Sequence, residues 1–162
     1  MPMYGTVKAG CGASPRSSKN NGRKPGKETK MINFKCLSTQ VRPEFTRSFY
    51  AAHKHEIDSD LTISDERASF IVKTIIAGIT PRIYTHMNRV VSGFEILAAL
   101  KRLFDEDLVF TGNLYEQING KTYKELPAGY RGMIEEMLVE VIQISYDSKP
   151  EDVEYFIETI GK

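Results

Sequence analysis

The chain has no tryptophan, only two cysteines, and no unbroken apolar run long enough to cross a membrane. A spanning helix needs roughly 18–20 consecutive apolar residues, and the most apolar stretch, residues 70–79, is interrupted by Lys73, Thr74 and Gly78. Residues 1–30 hold no apolar core of the kind a secretion signal carries; they are rich in Gly, Ser, Asn and basic residues. Cys11 and Cys36 cannot build a disulfide framework, so a reducing, cytoplasmic setting is expected. No serine stands in the glycine-flanked turn that exposes a hydrolase nucleophile, and neither cysteine has a histidine partner nearby in sequence.

Excess charge is also absent overall, with a formal net charge of +1, but its distribution is uneven. Residues 1–30 carry seven basic side chains against the single acid Glu28, leaving fifteen basic and twenty acidic residues for 31–162. A basic tail of this kind is expected to be solvated and disordered, and can hold DNA by counterion release. What remains, within a chain of 162 residues that is 41% hydrophobic and 27% charged, suits one globular domain over 31–162.

Residues 32–36 (Ile32, Asn33, Phe34, Lys35, Cys36) alternate like a half-buried strand. The aromatic stretch 41–50 is expected to be extended, because Pro43 disfavours helix around it. Ser64 followed by Asp65 and Glu66 marks a helix start. Ala68, Ile71, Val72, Ile75, Ile76 and Ile79 then follow helical spacing until Gly78 and Pro81 end it. Strands are expected over 82–86 and 89–91, and a helix over 93–104 that buries Phe94, Leu97, Ala98, Leu100 and Phe104. Residues 108–110 read as extended, and Asn119–Gly120 as a hairpin turn. A helix after Pro127 is expected to carry Met133, Ile134, Met137 and Leu138, ahead of a core strand over 139–146. Pro150 opens a last helix that runs through Ile160. The pattern is that of a mixed α+β domain.

Strand, glycine, helix is a generic phosphate-binding arrangement, since a helix N-terminus offers unpaired N–H groups and a positive dipole end. The same residues, Ser92-Gly93-Phe94-Glu95, also fit a capping box, in which serine and glutamate satisfy the helix start between them. A carboxylate there occupies the place an anion would take. His53 and His55 would share one face of a strand, but His86, Cys36, Glu56, Asp58 and Asp60 lie in no recognised ligand spacing, and no metal site is expected. Asp105-Glu106-Asp107 reads as a solvated turn.

The order of four stretches resembles the ParB/sulfiredoxin-like domain at the N-terminus of GmrSD-type restriction enzymes, which act on modified DNA in phage defence. Arg42-Pro43-Glu44-Phe45-Thr46-Arg47-Ser48-Phe49 is similar to that family's P-x-[YF]-Q-R-x-[FY] opening motif, and residues 75–84 to its L-L-x-G-I-P-I-P-P-I-Y segment. Residues 89–100 lie over its V-I-D-G-Q-Q-R-L-T-A-L helix start, and residues 118–127 over its L-N-G-K-x-[FY]-x-D-L-P loop. The resemblance implies a ParB-like domain that binds a nucleoside triphosphate with Mg2+. Arg47, Ser92, Gly93 and Glu95 would stand at nucleotide-binding positions, and Asn88 and Arg89 at the pocket rim, with Lys101 or Arg102 near it.

The motif itself departs from the family. Thr46 stands where glutamine is expected, Ser92 replaces the aspartate, Phe94 and Glu95 replace two glutamines, and Ile96 replaces the arginine. Isoleucine neither neutralises phosphate charge nor donates a hydrogen bond, so hydrolysis is expected to be lost and no residue is assigned as catalytic. The chain also stops at Lys162, where the family continues into an N-x-G loop and further helices. Two functions follow as expectations: a degenerate nucleotide- or nucleic-acid-binding module of the restriction-modification kind, or a non-catalytic domain that keeps the fold and binds a partner protein. A free-standing nuclease is disfavoured, because the chain lacks the arginine and a cutting domain.

Overall fold

The structure, a computed structural model, describes residues 37–58, 60–113 and 115–160. The expected tail at 1–30 and strand at 32–36 lie outside these residues. Strand β1 (Thr39–Phe45) leads directly into helix α1 (Thr46–His53), so residues 46–50 are helical where an extended chain was expected. Pro43 acts only locally, restricting Arg42, and it sits in an edge strand that tolerates a missing N–H. From Thr46 onward Phe49, Tyr50 and His53 turn inward on one helical face. Thr46 anchors that start, its N–H donating to Met137 O at 2.7 Å and its hydroxyl to Ile134 O at 2.8 Å.

Helix α2 (Asp65–Ile76) starts at Ser64, whose Oγ accepts from the Arg67 N–H at 3.2 Å, and buries the expected stripe from Ala68 to Ile76, but it ends there, leaving the last expected member, Ile79, outside the helix and exposed. Strands β2 (Arg82–His86) and β3 (Arg89–Ser92) form a hairpin closed by Met87 and Asn88. Both closing residues have positive φ (50° and 59°), as a two-residue I′ turn requires. Helix α3 (Phe94–Phe104) buries Leu97, Leu100, Leu103 and Phe104 among others, while Phe94 is only half-buried.

The Asn119–Gly120 turn is present, with Gly120 at φ +78° and the Lys121 N–H donating to Ile118 O at 3.3 Å. It does not join two strands, because Glu116–Ile118 before it forms a 3-10 turn. Helix α4 (Ala128–Glu135) ends earlier than expected, since Leu138 already opens strand β4 (Leu138–Ile144). Helix α5 (Pro150–Ile160) closes the described chain.

The four strands form one mixed sheet in the order β1-β4-β2-β3, antiparallel at both outer pairs and parallel between β4 and β2. Register places Ile83, Thr85, Val139 and Val141 on one face, where they join the core under α1 to α4. Tyr84, Ile142 and Ile144 share the opposite face, and Phe156 of α5 meets the Tyr84 ring edge-on at 5.5 Å. The fold is therefore α+β, a mixed sheet between four helices and one. Among the described residues no helix is long and apolar enough to cross a membrane.

Candidate binding site

Strand β3 becomes α3 at Gly93, which has φ +94°. A Cβ there would stand 3.2 Å from Ile83 Cα and 3.3 Å from Arg82 O. Both the left-handed backbone and the close approach of β2 demand glycine. The packing of the sheet is a sufficient reason for it.

The expected capping box does not form. Gly93 occupies the N-cap position and no side chain caps this helix; Ser92 is held one residue too early, in the ladder opposite Tyr84. Glu95 accepts instead from Arg67 of α2, at 2.8 Å from Nη2 and 3.1 Å from Nε. A Thr-x-x-Glu pattern of the same kind does close a capping box at Thr122. There the Thr122 N–H donates to Glu125 Oε2 at 2.7 Å, and the Glu125 carboxyl is held below its ordinary range, chiefly by that backbone hydrogen bond.

Arg47 is exposed, and its guanidinium carbon lies 4.8 Å over the centre of the Phe104 ring, within cation–π range. Phe104 ends α3 and Gly93 precedes its first residue, so a helix about 16 Å long lies between Gly93 and the residue whose ring Arg47 covers. Arg47 thus meets the last residue of α3, whereas Gly93 stands before the first. Asn88 and Arg89 lie at the hairpin tip, the far end of β3 from Gly93, and Asn88 Oδ1 accepts from the Tyr146 hydroxyl at 2.7 Å.

What does surround Arg47 is a set of aromatic and acidic groups. The Phe104 ring lies 5.6 Å from Tyr50 and meets Tyr123 edge-on at 5.1 Å. The Tyr50 hydroxyl donates to Asp105 Oδ2 at 2.5 Å, and the Tyr123 hydroxyl donates to the Glu135 carboxylate. Burial first, then the neighbouring carboxylate, raises both phenols, Tyr50 well above its ordinary range and Tyr123 to about 12. Both remain proton donors at neutral pH.

The acidic run lies in a turn as expected, with Asp105 and Asp107 exposed, and each of its carboxylates also has a partner. Asp105 takes the Tyr50 proton donor, Glu106 pairs with Arg102 at 2.6 Å and Lys101 at 3.5 Å, and Asp107 pairs with Lys124 at 3.0 Å. Arg102 also meets Asp65, and its guanidinium is raised above its ordinary value, mainly by the Glu106 hydrogen bond.

The two histidines share no strand face, because His53 closes α1 and His55 lies in the 3-10 turn Lys54–Glu56. His53 Nδ1 stands 2.6 Å from Glu56 Oε1, and Glu56 Oε2 accepts the Val90 N–H at 2.7 Å. Glu56 thus ties α1 to the outer edge of β3, a role that no local pattern announces. Among the described residues no group of histidine, cysteine and acidic side chains is placed to hold a metal ion.

Comparison with protein-family models, with curated proteins and with solved structures found no match for the chain.

Proposed function

We propose that this α+β chain is a non-catalytic interaction domain, keeping a ParB-like fold of the GmrSD kind and binding a protein partner through its surface. One observation carries the reading: Arg47 lies over the ring of Phe104, the last residue of α3, whereas Gly93 precedes its first, so the arginine packs against the residue at the opposite end of the helix from the turn that would grip a phosphate. Ile96 in the first turn of α3 offers a phosphate no hydrogen bond, and Glu95 beside it already holds Arg67.

The second reading, a nucleotide- or nucleic-acid-binding module of modified-DNA restriction, is favoured by the left-handed Gly93 between strand and helix. Calorimetric titration of the full chain with ATP, GTP, CTP and UTP, each with Mg2+, separates the two. The interaction reading expects no binding tighter than about 1 mM, a free energy near −4 kcal/mol. Tighter binding of any one nucleotide, weakened in Arg47→Ala, would replace it with the nucleotide reading. DNA retention through the tail is tested by replacing its seven basic residues with glutamine. Retention that falls with salt and vanishes in that variant supports a tail contact, and unchanged retention rejects it.

A further inference from the structure

The Asn119–Gly120 turn carries a chemistry that neither binding function uses. Asparagine before glycine is prone to lose its side-chain amide, because no side chain shields the glycine nitrogen. The Gly120 nitrogen attacks Asn119 Cγ, and the new C–N bond closes a five-membered imide. The side-chain nitrogen leaves as ammonia, taking the Gly120 proton. Water then opens the imide at either carbonyl. One product is aspartate; the other is isoaspartate, in which the main chain runs through the former side-chain carbon.

Three features of the fold oppose the first step. The Gly120 N–H donates to the carbonyl of buried Phe110 at 2.8 Å, so the attacking nitrogen is committed to a hydrogen bond. Imide closure needs that nitrogen to eclipse Asn119 Cβ, and the Asn119 ψ of 141° turns it away. The side chain is itself held by Asn113. Its Oδ1 accepts from the Asn113 N–H at 2.9 Å and from Asn113 Nδ2 at 3.2 Å, and its Nδ2 donates to Asn113 O at 3.4 Å. Crowding plays no part: Gly120 is exposed to water, and a Cβ added there would meet nothing within 4 Å. The reaction therefore runs from an opened turn, at a rate set by the population of that form.

We propose that Asn119 is a deamidation site that the closed turn keeps intact and that local opening releases. Isoaspartate adds one main-chain carbon ahead of Gly120. The Gly120 and Lys121 N–H groups then no longer match Phe110 O and Ile118 O, around an Ile118 side chain that is fully buried. Opening of the turn is thus recorded in covalent structure and does not reverse. The inference is independent of what the domain binds.

The test incubates the full chain in mildly alkaline buffer, folded and in guanidinium chloride. Residue 119 is followed by peptide mass mapping, with isoaspartate counted by enzymatic methylation. The folded chain is expected to convert at least about tenfold more slowly, and Asn113→Ala to speed the folded chain at least about threefold. In sub-denaturing urea, conversion should climb in step with hydrogen exchange at the Gly120 amide, because both need the bond to Phe110 broken. Asn119→Gln, whose ring would have six members, should not convert. Equal rates in the folded and unfolded chain, or no conversion in either, overturns the proposal. A conversion rate that stays flat in urea while Gly120 exchange rises also overturns it, whether or not Asn113→Ala folds. Converted chain whose Phe110 and Lys121 amides stay as protected as the parent's overturns the irreversible opening.

Discussion

Glu95 lies against Arg67 of the neighbouring helix, Oε2 to Nη2 at 2.8 Å, and leaves the main chain of Ser92 alone. The Ser-x-x-Glu spacing that suggests a capping box is satisfied in sequence and empty in space. What removes it is the position of Gly93, which takes the N-cap place because β2 packs against it.

That relationship sets the first prediction. Arg67 and Glu95 are 52% and 60% exposed, so Glu95→Ala is expected to cost less than about 1 kcal/mol, and Ser92→Ala close to nothing. Thr122→Ala, which opens the box that does form, is expected to cost about 1 kcal/mol. Urea unfolding of the three variants checks the order. A larger loss at Ser92 than at Thr122 contradicts the cap assignment.

Glycines at two places should respond with opposite sign. Gly93→Ala forces a left-handed backbone on alanine and sets its Cβ 3.2 Å from Ile83 Cα, for a loss of about 2 kcal/mol or more. Gly129→Ala, in α4 with no atom within 4 Å of the added carbon, is expected to gain about 0.5–1 kcal/mol. Thermal unfolding should register each kcal/mol as about 2–4 °C in a domain of this size.

Alkaline pH should weaken the fold through the two buried phenols. An unfolded tyrosine ionises near about 10, whereas Tyr123 is raised to about 12 and Tyr50 is raised further by burial and Asp105. The folded chain therefore holds these protons longer than the unfolded chain does. Their contribution is intact below about pH 10 and is lost as pH rises toward and through the folded values. Denaturant midpoints at pH 9 and pH 11.5 should differ less in Tyr50→Phe and Tyr123→Phe than in the parent. An equal difference in all three removes the linkage.

Glu56 is the acceptor for the Val90 N–H on an outer strand and the partner of His53. Glu56→Ala leaves that N–H without its partner and is expected to cost about 1–3 kcal/mol, with Glu56→Gln retaining part of it. Hydrogen exchange at the Val90 amide offers the local check: it should quicken in the alanine variant and stay slow in the glutamine variant.

Much of the fold was legible in the residues one turn or one strand at a time. Ser64 with Asp65 and Glu66, the stripe from Ala68 to Ile76, and Pro150 at a first helical position each fall where local periodicity and capping put them. Those signals are short-range, since they depend on neighbours within about four residues. What the tertiary structure alone decided involves partners distant in sequence: Thr46 on Ile134, Tyr50 on Asp105, Glu56 on Val90, Glu95 on Arg67. The candidate site belongs to this second group. Its local pieces, Arg47 and Gly93, each occur in the sequence, but the packing of Arg47 on Phe104, at the far end of α3 from Gly93, is a tertiary contact. No spacing along the chain encodes a distance that only the packed helices create.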